Sequence, residues 1–278
     1  MSQRWPIKAK ADASILRQAL QFPTSKRTAK NRIFKVALTE CLSSYDEEHI
    51  QNTGLPTQKL NNVYSKWGVG GFGMVFTGNI FVDPKHMEYR GNSVIHPTLN
   101  TEERKDAFKK STEVMKKDGA LAIAQLNHAG RLTPINFNEH PFAPSGIKHT
   151  PLIKPSVKNA VVLLSGGLRT VYGMADVISN NIADGVGLGK PSMAEPDVAK
   201  KLLSNQYQSV VYNHLEDDYQ LYVKSCMKQL NEAAATPLEE TDGDLTYGIT
   251  DFSDKEIAEE FKLGSKFPMH LSLNRPKI

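Results

Sequence analysis

The sequence predicts an α/β fold built on parallel strands. Two observations carry this. From about residue 32 to 127 short apolar strands alternate with helical stretches, which argues for β/α units over a sandwich or a bundle. After an irregular stretch rich in Pro, Asn and His at 132–158, the same alternation resumes.

The strands are RIFKVAL at 32–38, GMVFTGN at 73–79, ALAIAQLN at 120–127, AVVLLS at 160–165 and DGVGLG at 184–189. Between the second and third, Asn100 and Glu103 have capping-box spacing. Ala107, Phe108, Val114 and Met115 mark the buried face of that helix, and Gly119 suits its C-terminal end. A further helix is expected over 171–182. Beyond Pro196 the chain reads as mostly polar helix, with helical spacing in Val210, Val211, Leu215, Leu221 and Val223. The segment 239–251 reads as an acidic loop. Five parallel strands are countable, where a closed (β/α)8 barrel needs eight.

Composition narrows the function classes. The net charge of +4 and 40% hydrophobic content are ordinary for a globular chain, and no cationic run calls for nucleic acid or a membrane surface. No stretch is long and apolar enough to cross a bilayer and the start lacks a secretory signal, so a cytoplasmic location is expected. Cys41 and Cys226 have no metal or disulfide spacing and read as plain thiols, and no metal is expected.

Glycines in loops at the C-terminal ends of parallel strands allow close backbone approach and expose N–H groups to phosphate. Gly166 and Gly167, then Gly187, Gly189 and Lys190, have that placement, though the glycines alone also suit tight turns with no ligand. Gln125 ends the third strand with an amide able to donate and accept.

Four segments, KNRIFKVALTE at 30–40, WGVGGFGMVFTGNIFVDPKHME at 67–88, AIAQLNHAGR at 122–131, and LLSGGLRT at 163–170 with GVGLGKPSMAEPD at 185–197, give the chain a resemblance to the old yellow enzyme, or NADH:flavin oxidoreductase, family. In that family they form strands one, two, three, seven and eight of a TIM barrel. The resemblance covers roughly residues 15–205. It implies an incomplete barrel of about five parallel strands with a helical C-terminal tail. The parts are 1–145 with strands one to three, a junction at 146–158, 159–205 with strands seven and eight, and a mostly helical tail at 206–278. Strands four to six have no counterpart between about Ser145 and Ile153. Joining the two parts by a short loop predicts that the strand at 160–165 lies beside that at 120–127.

The resemblance also implies FMN as cofactor, NAD(P)H as hydride donor and a small-molecule electron acceptor. Ala37, Leu38 and Thr39 match the turn lying against the flavin, with Thr39 near its reactive edge. Gly78 and Asn79 match the contact from strand two, and Gln125 the glutamine that bonds the pyrimidine edge. Gly166, Gly167, Gly187, Gly189 and Lys190 match the phosphate cradle, with Lys190 where the family usually carries Arg. For His128 flavin contact and an ordinary loop hydrogen bond stay open, while Asp83, His86 and Glu88 read as turn chemistry. The family's substrate-binding His pair and proton-donating Tyr, both on strand four, have no counterpart, so impaired chemistry is expected. The alternative is a non-catalytic truncated isoform or remnant acting as an interaction protein. Open barrel edges give either reading a route to self-association.

Overall fold

The computed structural model describes residues 2–134, 136–139 and 160–265, so the junction at 146–158 lies outside the described residues. Five strands form one parallel sheet: β1 (Ile33–Lys35), β2 (Met74–Phe81), β3 (Leu121–Asn127), β4 (Leu163–Ser165) and β5 (Gly185–Leu188). Their order is β3-β2-β1-β5-β4, and a short strand, Ser93–Val94, also pairs with the C-terminal end of β2. This is the order of a barrel wall that runs through its first strand and stops at β3 and β4. Among the described residues no ladder joins those two edges, so the expected pairing of the strands at 160–165 and 120–127 is not formed. Closure links strand number to tilt and stagger, and five strands do not satisfy that link.

Side chains alternate across the sheet with the period of two that a strand imposes. Ile33, Val75, Val186 and Leu188 point to the outer, helix-covered face, whereas Phe34, Val36, Phe76, Ile123 and Leu163 pack on the inner one. The outer layer comprises α1 (Gln58–Val69), α2 (Glu102–Met115), α3 (Val171–Ser179), α4 (Lys190–Ala194), α5 (Val198–Leu203) and α6 (Tyr219–Ala235). A further helix, α7 (Lys255–Ser265), buries Ala258 against Leu215 and Phe252. Near the start of the chain a small antiparallel hairpin, Leu20–Gln21 with Thr28–Ala29, packs Leu20 and Ala29 on Phe34 and Met74.

Helix α2 starts one residue later than the capping box suggested. Thr101 accepts from the Arg104 N–H, and Glu102 and Glu103 in the first turn suit the helix dipole. Its buried face holds Met115 as expected, but also Arg104, whose guanidinium donates to the carbonyls of Leu99, Val94, Gln51 and Thr53. The side chain thereby ties together the loops before α1 and α2.

The tail is not one long helix. Val211 pairs with Arg4 and Ser209 with Thr170 in isolated antiparallel bridges, so residues 209–211 run extended and α6 begins only at Tyr219, capped by Asp218. The apolar pair Val210–Val211 fits a half-buried bridge as well as a helix face, and partners from distant segments decided the outcome. Helix α6 packs against α1 and α4. Asn62 and the fully buried Lys66 of α1 donate to the carbonyls of Ala234 and Ala233, satisfying last-turn carbonyls of α6 that have no partner within the helix.

Candidate active site at the C-terminal ends of the strands

In a parallel sheet the strand ends and the loops that follow them gather at one mouth. Here the end of β1 runs into Ala37, Leu38 and Thr39, all half-buried. Asn79 Nδ2 donates to Thr39 Oγ1 at 3.0 Å, and Gln125 Nε2 donates to Asn79 Oδ1 at 3.0 Å. A rail of three polar side chains therefore crosses the ends of β1, β2 and β3. Because Thr39 accepts within the rail, its hydroxyl proton remains to be donated. Gln125 Oε1 has no protein donor among the described residues.

The rail depends on an irregularity in β2. Its register with β3 shifts between Phe76 and Asn79, and Thr77 Oγ1 accepts the Gln125 backbone N–H across the shift at 2.9 Å. Such a bulge re-aims side chains beside a site. Gly78 sits inside it, where a Cβ would lie 1.5 Å from Glu40 Oε2 and 2.6 Å from the Leu38 carbonyl oxygen. The absence of a side chain at Gly78 is thus explained by packing against the β1 turn.

Below the rail is a feature the sequence reading missed. Lys35 is fully buried and its ammonium lies 2.6 Å from Glu40 Oε1, 3.2 Å from the Phe76 carbonyl and 4.0 Å from the Trp67 ring centroid. Burial pushes the Lys35 ammonium down and the Glu40 carboxyl up, while their mutual attraction opposes both shifts. The pair pins the turn carrying Thr39 to the start of the bulge. A lysine in the middle of an apolar strand, with a glutamate five residues on, was the available signal.

Cys41, next to Glu40, adopts a left-handed backbone with φ of 54°. Its thiol is pushed up to about 12, first by burial and then by the carboxylates of Glu40 and Glu88. A thiol so disfavoured from ionising is no nucleophile at neutral pH.

On the other side of the mouth, Gly166 and Gly167 follow β4 with φ of 109° and 69°, and among the described residues, their own chain neighbours aside, no atom lies within 4 Å of where either Cβ would be. They present open backbone, as a ligand cradle requires. Gly187 differs, since a Cβ there would meet the Phe34 ring at 2.5 Å, so its role in packing is accounted for. Gly189 lies beside Leu38, 3.4 Å from the Leu38 Cδ2 atom to the built Cβ position. Lys190 holds its ammonium over the rings of Tyr222 and Tyr219, at 4.7 and 5.1 Å. It lines a small cavity together with Arg169, Tyr212 and Tyr222. Arg169, unnoticed in the sequence although it stands inside SGGLRT, brings a second positive charge to that cavity.

No family model matches the chain. It is 36% identical over 137 residues to the NADH-dependent flavin oxidoreductase nadA of Aspergillus parasiticus, covering 49% of this chain and 31% of that protein. Over about half of its length the chain is thus similar to a protein named as an NADH-dependent flavin oxidoreductase. A second relative, the NADH-dependent flavin oxidoreductase iliE of Hypocrea jecorina, is 28% identical over 123 residues, 44% of this chain and 29% of its own length. The chain therefore spans about a third of the length of the curated relatives it matches. Among solved structures, a variant of NCR from Zymomonas mobilis aligns with a TM-score of 0.51 at 13% identity, covering 72% of this chain and 94% of that one. Morphinone reductase in complex with tetrahydroNAD gives 0.51 at 11% identity, covering 69% and 91%. These two likenesses concern the fold alone. No helix of the described residues is long and apolar enough to cross a membrane.

Proposed function

We propose that the mouth of the sheet binds FMN and that the chain is an oxidoreductase using NAD(P)H, impaired toward organic acceptors. The observation that carries this is the hydrogen-bonded rail Thr39–Asn79–Gln125 at the ends of three strands, together with the open Gly166–Gly167 turn that follows β4 in the same parallel sheet. FMN, when bound, would take a hydride from the nicotinamide and pass it on to an acceptor.

In this reading each residue has a stated task. Gln125 would meet the pyrimidine edge through its unpaired Oε1, and Asn79 would hold that amide in orientation. Thr39 would direct its hydroxyl proton toward the flavin, with Ala37 and Leu38 as the apolar surface of the turn. Gly166 and Gly167 would offer backbone N–H groups to the phosphate, with Gly187 and Gly189 on the neighbouring strand and its end. Lys190 would supply charge, for which the phosphate competes with the Tyr222 ring; lacking the planar fork of an arginine, it makes a weaker contact. The residues fit the cofactor at both ends, although the packing of Gly78 and Gly187 explains those glycines without it.

No segment of the chain provides the His pair and Tyr expected from the resemblance to hold a carbonyl and deliver a proton. A second reading, a non-catalytic remnant that self-associates, rests on the two strand edges without partners among the described residues.

Titration of FMN fluorescence tests the site. Lys190→Ala should weaken binding more than Cys41→Ala, because the Cys41 thiol lies behind the flavin turn. Equal affinities in the two variants would remove the phosphate assignment, and no binding by the unmodified chain would leave the second reading.

A further inference from the structure

We propose that Asp83, His86 and His128 form a binding site for a divalent transition-metal ion of the zinc class, bridging the loops that follow β2 and β3. The candidate ligand atoms of the three residues all lie within 4.8 Å of one another. Two imidazoles and one carboxylate suit a borderline ion such as Zn²⁺ and disfavour Mg²⁺ or Ca²⁺, which prefer oxygen.

The site is built rather than accidental. His86 is buried, its Nδ1 lies 2.7 Å from Asp83 Oδ2, and its Nε2 lies 3.0 Å from the Asn138 amide. The other Asp83 oxygen takes the Lys85 N–H at 2.8 Å, which orients the carboxylate. The His128 ring stacks on that of His86 with centroids 4.5 Å apart and planes 27° apart. The Ala129 N–H donates to the His86 carbonyl at 3.1 Å, so the backbone itself holds the two loops together.

The protons also have somewhere to go. Gly130 donates to His128 Nδ1, which leaves that nitrogen carrying a lone pair in the neutral ring. Coordination through Nδ1 would exchange this hydrogen bond for the ion, whereas coordination through Nε2 would leave it in place. At His86 the ion would enter between Nδ1 and Asp83 Oδ2, and the single proton of the neutral ring would move from Nδ1 to Nε2 by exchange with solvent, with no net release. Metal bonds of about 2.0–2.2 Å in a tetrahedral arrangement ask these two atoms to separate slightly. His86 then carries its proton on Nε2, where the Asn138 amide, turned to present its oxygen, accepts it as an outer partner. Three protein ligands leave a fourth position for water.

Asp83 lies four residues beyond Asn79 and His128 three beyond Gln125. A bound ion would thus clamp both loops next to the polar rail, yet its binding is measurable without any flavin. The test uses the full chain, stripped with a chelator and titrated with Zn²⁺ in competition with a chromogenic chelator, and with Co²⁺ by visible spectroscopy. One Zn²⁺ per chain is expected, with Co²⁺ bands of a four- or five-coordinate ion. Because His128 is exposed, His128→Ala should fold normally and weaken Zn²⁺ by more than about 100-fold, and Asp83→Asn should act in the same direction. Asn138→Ala should cost about 10–100-fold, as outer partners do. His49→Ala, exposed and outside the cluster of three, should change nothing. Absence of binding by the unmodified chain, or Zn²⁺ affinity unchanged in both His128→Ala and Asp83→Asn, would overturn the proposal.

Discussion

The two faces of the sheet are finished to different degrees. On the outer face Ile33, Val75, Val186 and Leu188 are sealed by α1 to α6, with Trp67, Met115, Met174, Val198 and Leu230 all at or near zero exposure. On the inner face, among the described residues, the buried cluster is Leu20, Ala29, Phe34 and Met74, and Val36, Phe76, Ile123 and Leu163 remain half-covered. The same strands supply both faces, so propensity does not explain the difference. An outer face needs only the helix that follows each strand, whereas the interior of a barrel needs strands from the far side. Apolar burial contributes about 25 cal/mol per Å², so the stability of this chain should reside chiefly in its outer layer.

That contrast can be broken most forcefully at Trp67. Its ring is fully buried and its Nε1–H donates to the Ser192 carbonyl at 2.8 Å. Trp67→Ala should cost about 3–5 kcal/mol in urea unfolding, and Ile123→Ala on the inner face less than about 2 kcal/mol. Equal losses would mean that the inner face is as well packed as the outer.

Lys35→Met is expected to come next, since it strands the Glu40 carboxylate in a buried site. Removing one partner of a buried pair costs about 3–5 kcal/mol, offset here in part by the better packing of methionine against Trp67. The sharper signature is in the pH profile. The lone Glu40 carboxyl, raised by burial, favours the protonated form when folded, so stability of the variant should fall as pH rises from below the unfolded carboxylate range through the raised folded value. A flat profile between mildly acidic and neutral pH would show that Glu40 finds another cation.

How far the fold could be read from sequence follows the same division. All five strands were legible, because an apolar run followed by a helix-length connection reports a local fact. Thr101 displaced Asn100 as the cap of α2 by one position, within the freedom of a Thr/Asn-rich start. Val210 and Val211 were misread because their partners, Arg4 and the β4 loop, lie far away in sequence. Of the site, Thr39, Asn79 and Gln125 were legible through resemblance, but not their mutual hydrogen bonds, which depend on the bulge at Gly78. Lys35 and Arg104 were missed because charged residues are rarely buried, and each became so by finding partners on other elements.

The thiols give the smallest effect. Cys41 and Cys226 are both pushed up to about 12 by burial. Below the unfolded thiol value of about 8.5 both states are protonated and stability is unaffected. Above it the unfolded chain ionises first, so stability should decline as pH rises toward about 12. At neutral pH both should react with iodoacetamide far more slowly than in denaturant, measured by mass spectrometry. Rapid labelling of Cys41 would mean that the β1 turn opens readily.

Under the proposed function, a chain that binds FMN through this rim but has no counterpart of the family's carbonyl-holding His pair should perform one half of a redox cycle and not the other. Stopped-flow absorbance of the FMN-loaded chain separates the two: consumption of NADH, and reoxidation by oxygen or by an enone. The account predicts measurable NADH consumption sustained slowly by oxygen. Reoxidation by the enone should be at least about 10²–10⁴-fold slower than in a full-length relative, the range attributable to a lost general acid alone. Enone-dependent reoxidation as fast as in that relative would contradict it, since other residues of this chain would then be holding the acceptor and delivering the proton.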